Sequence, residues 1–416
     1  MNGSEIRRRF LRFFEGRDHL VLESAPLLPE DDPTTLFVSA GMQPLQPYYQ
    51  GVRLPPAPRL VSCQRVVRTW DIDEVGKTDR HATFFEMLGN FAPTGAYFKE
   101  TAIPLAWEFC LDREQGLGLD PALLHVITHP EDEEARRIWR EQGVPDDHMT
   151  EDAENWWGLG VGPAGPDSEI WFDRGPDYAC GDAICYPDHK EDCIRFLEFW
   201  NLVFPSFDEQ RDGRRLPLPH PAIDTGMGLE RITSIVQGVP SIFDTDLMSP
   251  MTGWARSHSA NPNVVIERVL ADHLRSMTFI VADGVLPSNE GRGYVLRRLI
   301  RHAALEARRA GFGAPLADGV HLVVEEMKGQ YPYLLQREAD VAAAVAAEAA
   351  LFGRTLDRGV EAFERMAAAA GDGMLDGDQV FRLHDTDGFP IELTRELASE
   401  RHLQVDEAGF ERAMQE

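Results

Sequence analysis

The densest chemistry in this chain lies in one short run, Asp224-Thr-Gly-Met-Gly-Leu-Glu-Arg231. Gly226 and Gly228 carry no Cβ, so a ligand can approach the backbone closely. Arg231 sets a permanent planar cation in what reads as the first turn of a helix, where the dipole and free N–H groups also favour an anion. Asp224 supplies a carboxylate for an ammonium group. A phosphate end and an amine end in one turn suit activation of an amino acid by ATP. The same glycine pattern also serves as an ordinary strand-to-helix turn.

A second group stands upstream. Arg68 ends one strand-like run, and Arg80 and His81 open the next, which continues Thr83-Phe-Phe-Glu-Met-Leu-Gly-Asn-Phe91. Two arginines and a histidine face each other across a polar loop that also carries Lys77. Such a set can clamp a triphosphate and stabilise charge on a phosphoryl group in transfer. Phe84, Phe85 and Phe91 can stack a purine or fill a core, and strand alternation lets only one face meet a ligand.

These residues need a sheet to hold them. Runs at 60–70 and 83–91 read as a hairpin with a long connection, and the stretch from 155 to 230 is again strand-like, broken by Gly and Pro. Helical spacing marks 4–20, 97–112 and 131–142. Mixed order and hairpins predict an α+β fold, an antiparallel sheet with flanking helices. After about residue 250 the character changes. Ile266, Leu270, Leu274, Met277 and Val281 form a helix stripe closed by Gly284, a second helix spans 293–310, and Ala-rich helices fill about 337–370. The expected domains are 1–250, and 251–416 as a mostly helical second domain.

The bulk properties narrow the function. The chain has 416 residues, 43% hydrophobic and 26% charged, with no apolar run of the ~20 residues that spans a bilayer. Three arginines follow Met-Asn-Gly-Ser-Glu with no apolar stretch behind them, which is not a secretory signal, so the cytoplasm is the expected compartment. The net charge of -28 argues against nonspecific nucleic-acid binding, so any such partner needs a local basic surface. Arg292, Arg297, Arg298, Arg301, Arg308 and Arg309 form one, with only Glu290 and Glu306 nearby in sequence, and Arg297, Arg301 and Arg308 share a helical face. A solvated basic face is the alternative, but six arginines with so few compensating acids favour phosphate contact.

The Arg-ended strand, the Arg-His-x-x-Phe-Phe-Glu opening and the Gly-x-Gly-x-Glu-Arg run resemble motifs 2 and 3 of class II aminoacyl-tRNA synthetases. Phe84-Phe-Glu-Met-Leu-Gly-Asn-Phe91, Glu198-Phe-Trp-Asn-Leu-Val-Phe204, Ile223 to Arg231, Ser288-Asn-Glu-Gly-Arg-Gly-Tyr-Val-Leu-Arg-Arg298 and His384-Asp-Thr-Asp-Gly-Phe-Pro390 resemble the alanyl branch in particular. The resemblance runs from residue 5 to the end. It implies that Arg68 and Arg231 are catalytic, with Arg68 on the α-phosphate of ATP and Arg231 against the adenine and γ-phosphate. Lys77, Arg80, His81, Phe85, Glu86 and Gly228 would complete the ATP site. Asp224 and Gly226 would hold the amino acid, with Trp157, Asn201 and Val203 walling a methyl-sized pocket. Glu198 is the expected Mg²⁺ ligand, hard oxygen on a hard cation. Asn289 and Asp385 stand where the family reads its tRNA acceptor-stem wobble pair, with Arg292, Arg297, Arg298 and Arg301 on phosphates.

The expected activity is ATP-dependent formation of alanyl-adenylate and transfer to alanine tRNA, by a chain expected to be monomeric and to lack the family's editing and C-terminal domains. The alternative is a stand-alone homologue that passes alanine, or a similar small amino acid, to a non-tRNA acceptor. A non-catalytic binding module is a third reading, against which the Arg68, Asp224 and Arg231 set weighs.

Two features depart from the family. The loop after Arg68 reads Thr69-Trp-Asp-Ile-Asp in place of a Gly-Gly-Lys segment, and Gly162-Pro-Ala-Gly-Pro-Asp-Ser-Glu-Ile170 lacks the usual cysteines. A third feature is not expected from it at all. Cys180, Cys185, His189 and Cys193, spaced Cys-x4-Cys-x3-His-x3-Cys, match a structural zinc site in ligand type, and free thiols in a reducing compartment are the plainer reading. With five cysteines and no export signal, disulfides are not expected.

Overall fold

Strand β2 (Leu60–Val67) is buried along its whole length: Val61 and Cys63 join the core with Phe10 and Phe109, Leu60 packs with Met42, Tyr49 and Phe91, and Val66 packs with Val38 and Met87. The computed structural model describes residues 1–29, 35–182, 184–190, 193–370, 373–386 and 388–415. Asp387 of the His384–Pro390 block lies outside the described residues. The described chain divides into two units, residues 1–74 with 78–249, and residues 75–77 with 250–416.

The first unit is built on an eleven-stranded sheet. In chain order its elements are α1 (Gly3–Glu15), β1 (Leu20–Leu22), α2 (Gln46–Tyr49), β2, β3 (Phe84–Phe91), α3 (Lys99–Leu111), β4 (Leu124–Thr128), α4 (Glu133–Glu141), β5 (Met149–Glu151), β6 (Trp156–Gly158), β7 (Gly162–Asp173), β8 (Phe196–Val203), β9 (Phe207–Glu209), β10 (Arg215–Pro217), β11 (Asp224–Gly228) and α5 (Leu229–Gln237). The main order is β1-β2-β3-β11-β8-β7-β4-β5. Its centre is antiparallel, and the β1/β2 and β4/β5 pairs at its two edges are parallel. Strand β11 therefore lies between β3 and β8, and this insertion brings the two sequence motifs side by side.

One face of the sheet carries the core. Phe10 of α1 meets Phe109 of α3 edge-on at 5.3 Å and Trp200 of β8 at 5.6 Å. Alternation along β3 sends Leu88 into this core and Phe85 and Met87 to the opposite face. Phe84 and Phe91 are buried, and Phe91 packs with Met42, Tyr49 and Leu60.

Glu86 points to the core side as well. Its carboxylate accepts from Arg7 of α1, with Nε at 2.9 Å, and Cys63 Sγ lies 3.4 Å away. Strand alternation thus overrides the expectation that the Glu86 side chain contacts ATP.

The second unit is helical. It contains α6 (Ser249–His258, from Pro250), α7 (Val264–Ala282), α8 (Gly291–Arg309), α9 (Leu316–Met327), the 37-residue α10 (Leu334–Ala370), α11 (Gly377–Asp385), α12 (Ile391–Glu400) and α13 (Glu407–Gln415). Met374–Leu375 and Gln404–Val405 pair as two short parallel strands. Asn263 caps α7 through its side chain, and α7 is buried over nearly all of its length. Helix α10 buries Val341, Val345, Phe352, Leu356 and Phe363 at four- and seven-residue steps, a single stripe down one face.

The Arg7–Glu86 pair makes a testable claim about the fold. Arg7→Met leaves a buried carboxylate without its cation and is expected to cost about 3–5 kcal/mol in urea unfolding. Arg7→Met with Glu86→Leu is expected to recover most of that loss. A double variant no more stable than the single one would contradict this reading of the pair.

Candidate active site

A cavity of about 210 Å³ opens on the sheet face away from the core. Arg68 comes to it from the end of β2, Arg80 from the connection before β3, Phe85 and Met87 from β3, and Arg231 from the first turn of α5. Asp224, Gly226 and Gly228 come from β11, Glu198, Asn201 and Val203 from β8, and Trp157 from β6. A Cβ on Gly226 would fall 2.9 Å from Met87 Sδ, so any larger residue here would displace the Met87 side chain in the cavity wall.

The amine end is built on Asp224. Burial pushes this carboxyl up to about 8, and no cation offsets the shift among the described residues. Asn201 lies opposite Gly226 across the β11/β8 pair, and its Oδ1 is buried with no hydrogen-bond donor. An acid and an amide oxygen, both buried and both short of a donor, fit a ligand ammonium. Val203, opposite Asp224, and Trp157 supply apolar wall.

The phosphate end is built on three guanidinium groups. Burial lowers the pKa of Arg68, and the charge of Arg231 lowers it further. Arg80 is lowered for the same two reasons in the same order. Arg68 Nε donates to the Ser39 carbonyl at 3.2 Å, and its guanidinium sits 5.2 Å from the centre of the Phe85 ring. Arg231 Nη1 is 2.8 Å from Glu198 Oε2 and also donates to the Glu198 carbonyl at 3.3 Å. Three cations gathered in one half-enclosed space, two of them lowered by the third, form an anion site.

Strand β8 departs from regular pairing beside this site. Ile170 pairs with Trp200, yet Trp171 pairs with Glu198, so Phe199 is the extra residue of a bulge. Glu198 and Asn201 are three apart and strict alternation would send them to opposite faces. The bulge puts both on the cavity, where Asn201 Nδ2 donates to Glu198 Oε1 at 2.9 Å.

A carboxylate group that sequence reasoning missed adjoins Glu198. Burial raises Glu169 well above the usual carboxylate range, and the charges of Glu198 and then Asp167 raise it further. Burial, then Glu198, pushes Asp167 up to about 8. Glu198 uses one lone pair toward Arg231 and one toward Asn201, and a carboxylate has about four. The Glu198–Glu169 pair, hard oxygens that repel one another, fits Mg²⁺. No signal in residue type marks Glu169, because its place opposite Asn201 is set by the pairing of β7 with β8.

Not every expected residue is brought here. Lys77 groups with the second unit, within electrostatic reach of Glu396, and is not among the cavity's lining residues. His81 stays just outside the lining, its Nδ1 2.8 Å from Thr78 Oγ1. Burial, then Arg231 and Arg80, pushes its pKa down to about 4, so it is neutral at ordinary pH.

The second unit brings Asn289, Arg297, Arg298, Arg301 and Asp385 to one cavity of about 250 Å³. Arg292 is not among its lining residues. The arginine face is not left without acids, as its sequence neighbourhood suggests. Glu348 of α10 is 2.7 Å from Arg301 and 3.3 Å from Arg297, Arg308 pairs with Asp357, and Arg309 pairs with Glu306 and Glu400. All of these counter-charges but Glu306 come from other helices. Arg297 Nη1 also donates to Asn289 Oδ1.

Cys180, Cys185, His189 and Cys193 also come together, with their ligand atoms within 4.8 Å of one another. Among the described residues, no helix is long and apolar enough to cross a membrane.

Comparison with known proteins shows the family. The family described as tRNA synthetases class II (A) matches residues 5–416. The alanine–tRNA ligase of Desulforudis audaxviator is 48% identical over 426 residues, covering 100% of this chain and 48% of that protein. That of Bacillus mycoides is 46% identical over 429 residues, and that of Lacticaseibacillus paracasei 44% over 428, each with the same coverage. The chain spans about half the length of these curated relatives.

The buried acid leaves a signature in stability. Asp224 holds its proton up to about pH 8 in the folded chain, against an ordinary value of 3.8. The folded state thus binds more protons than the unfolded one between those values, and stability falls as pH rises through that window. The advantage of Asp224→Asn over the parent is expected to be small at about pH 4.5 and to grow toward about pH 8 in urea unfolding. A difference that stays flat with pH would contradict it.

Proposed function

The chain belongs to the class II tRNA synthetases, and from that premise we propose that it joins alanine to tRNA through an alanyl-adenylate, using ATP and Mg²⁺. The observation that carries the proposal is the pairing of opposite needs in one cavity: a buried acid lacking a cation at one end and three guanidinium groups at the other.

Alanine binds with its ammonium on Asp224 and Asn201 Oδ1 and its methyl against Val203 and Trp157. Its carboxylate then points toward the arginines. ATP lies with its phosphates on Arg68, Arg80 and Arg231, and its base near Phe85. An alanine carboxylate oxygen attacks the α-phosphorus, the bond to the β-phosphate oxygen breaks in line, and pyrophosphate leaves. Arg68 faces the charge that builds on the α-phosphoryl oxygens, while fixed groups on both reactants supply the alignment. Mg²⁺, held near Glu198 and Glu169, would neutralise phosphate charge. In the second step a 3′-terminal tRNA hydroxyl attacks the alanyl carbonyl, and AMP departs.

The second unit is proposed to read the acceptor stem, with Asn289 and Asp385 reaching base edges in the shallow minor groove. Arg297 and Arg301, tied to Glu348, position that site, and Arg298 and Arg292 meet phosphates. A methyl-sized pocket discriminates only modestly against an added hydroxyl, so serine is expected as the chief misactivated substrate.

Pyrophosphate exchange across the amino acids tests the first step. Alanine is expected to give the strongest exchange, and Asp224→Ala to lower kcat/KM for alanine by about 100-fold or more. Exchange that is no higher with alanine than with glycine, or that survives Asp224→Ala within a few-fold, would contradict the assignment.

The two units are separable by assay. Asn289→Ala with Asp385→Ala is expected to leave exchange intact and to weaken charging of alanine tRNA by about 10-fold or more. Unchanged charging would remove these residues from the tRNA site. Robust exchange with no charging by the parent chain would point to another acyl acceptor.

A further inference from the structure

The connection from β7 to β8 is closed at its base by a bidentate ion pair, with Arg195 Nε and Nη2 at 2.7 and 2.6 Å from the Asp173 carboxylate. Within it the four Cys/His side chains meet. Cys180 Sγ is 4.0 Å from Cys185 Sγ and 3.2 Å from His189 Nε2, and Cys185 Sγ is 3.6 Å from Cys193 Sγ. A tetrahedral zinc ion, bound at about 2.3 Å to sulfur and 2.0 Å to nitrogen, sets its donors roughly 3.5–3.8 Å apart. The observed spacings bracket that range.

Two further observations point the same way. His189 Nδ1 lies 2.6 Å from the Tyr186 carbonyl oxygen. A carbonyl can only accept, so Nδ1 carries the proton and Nε2 turns its lone pair toward the sulfurs, the tautomer a metal ligand needs. The cluster is also anchored to the fold: Cys193 is buried, and Cys185 packs on Ile127, Trp171 and Phe196. A nearby carboxylate, Asp182, is exposed and reaches Cys180, His189 and Lys190 at 3.4, 3.7 and 3.7 Å. Four protein donors already complete the shell without it.

We infer that Cys180, Cys185, His189 and Cys193 bind one structural zinc ion that pins the β7–β8 connection. Three soft thiolates and an imidazole select zinc over magnesium or calcium, and a closed four-ligand shell leaves no position for catalysis. The ion acts through the chain. Cys193 stands five residues before Glu198, so the clamp fixes the entry of the strand that carries the bulge, Glu198 and Asn201. The claim is independent of which amino acid the cavity takes, because metal content is read without turnover.

The full chain, purified without chelator, is expected to contain about one zinc per molecule by elemental analysis. Replacement by Co²⁺ is expected to give the visible absorption of tetrahedral thiolate-bound cobalt. Cys180→Ser with Cys185→Ser is expected to lose both. His189→Cys keeps four donors and is expected to retain the metal, which separates loss of ligation from loss of folding. Parent protein with less than ~0.1 zinc per chain after incubation with Zn²⁺, and with no cobalt band, would overturn the inference. Thiol titration that finds Cys185 and Cys193 joined as a disulfide would overturn it too.

Discussion

Positive charge confined to a small buried space is the constraint from which the first unit's other features follow. Arg68 and Arg80 are each shifted down by burial and then by Arg231. Glu198, paired with Arg231 at 2.8 Å, offsets part of that charge. A polyanion would offset the rest, which is why nucleotide phosphates suit the proposed site. The same enclosure that strains the cations keeps Asp224 protonated when nothing cationic lies beside it. The cavity is thus polarised along its length, and each end is stabilised by the group the other end would repel. Such a site costs stability when vacant, as sites built for strong differential binding do.

The backbone makes this arrangement possible in two ways. Inserting β11 between β3 and β8 sets Gly228 opposite Met87 and Asp224 opposite Val203, so the amine end and the phosphate end share one sheet face. The bulge at Phe199 then turns Glu198 to the side that Asn201 already occupies. Without it, either the counter-charge for Arg231 or the amide beside Asp224 would face the aromatic core.

Much of this follows from short-range spacing and was legible in the sequence. The strands at 60–67 and 84–91 and the helices at 264–282 and 291–309 lie where apolar periodicity puts them, because burial of one face or stripe decides each element locally. That Phe85 and not Phe84 reaches the cavity is a consequence of alternation, whereas Phe91, on the same face as Phe85, is taken up by packing on Met42, Tyr49 and Leu60. What was not legible depends on partners far along the chain. Glu86 belongs to Arg7, 79 residues away, and Arg301 to Glu348, 47 residues away. A run of arginines looks uncompensated until the helices that carry its acids are folded against it. The bulge, and with it the nearness of Glu169 to Glu198, has no mark in residue type, since a bulge is a property of the pairing between strands.

The central claim is that one cavity holds an ammonium at Asp224 and phosphoryl oxygens at Arg68 and Arg231. A crystal structure of the chain with a non-hydrolysable sulfamoyl analogue of alanyl-adenylate tests it most directly. The analogue's amine is expected within about 3.2 Å of an Asp224 oxygen and its sulfamoyl oxygens facing Arg68. An analogue bound elsewhere, or seated with its amine turned away from Asp224, would contradict it.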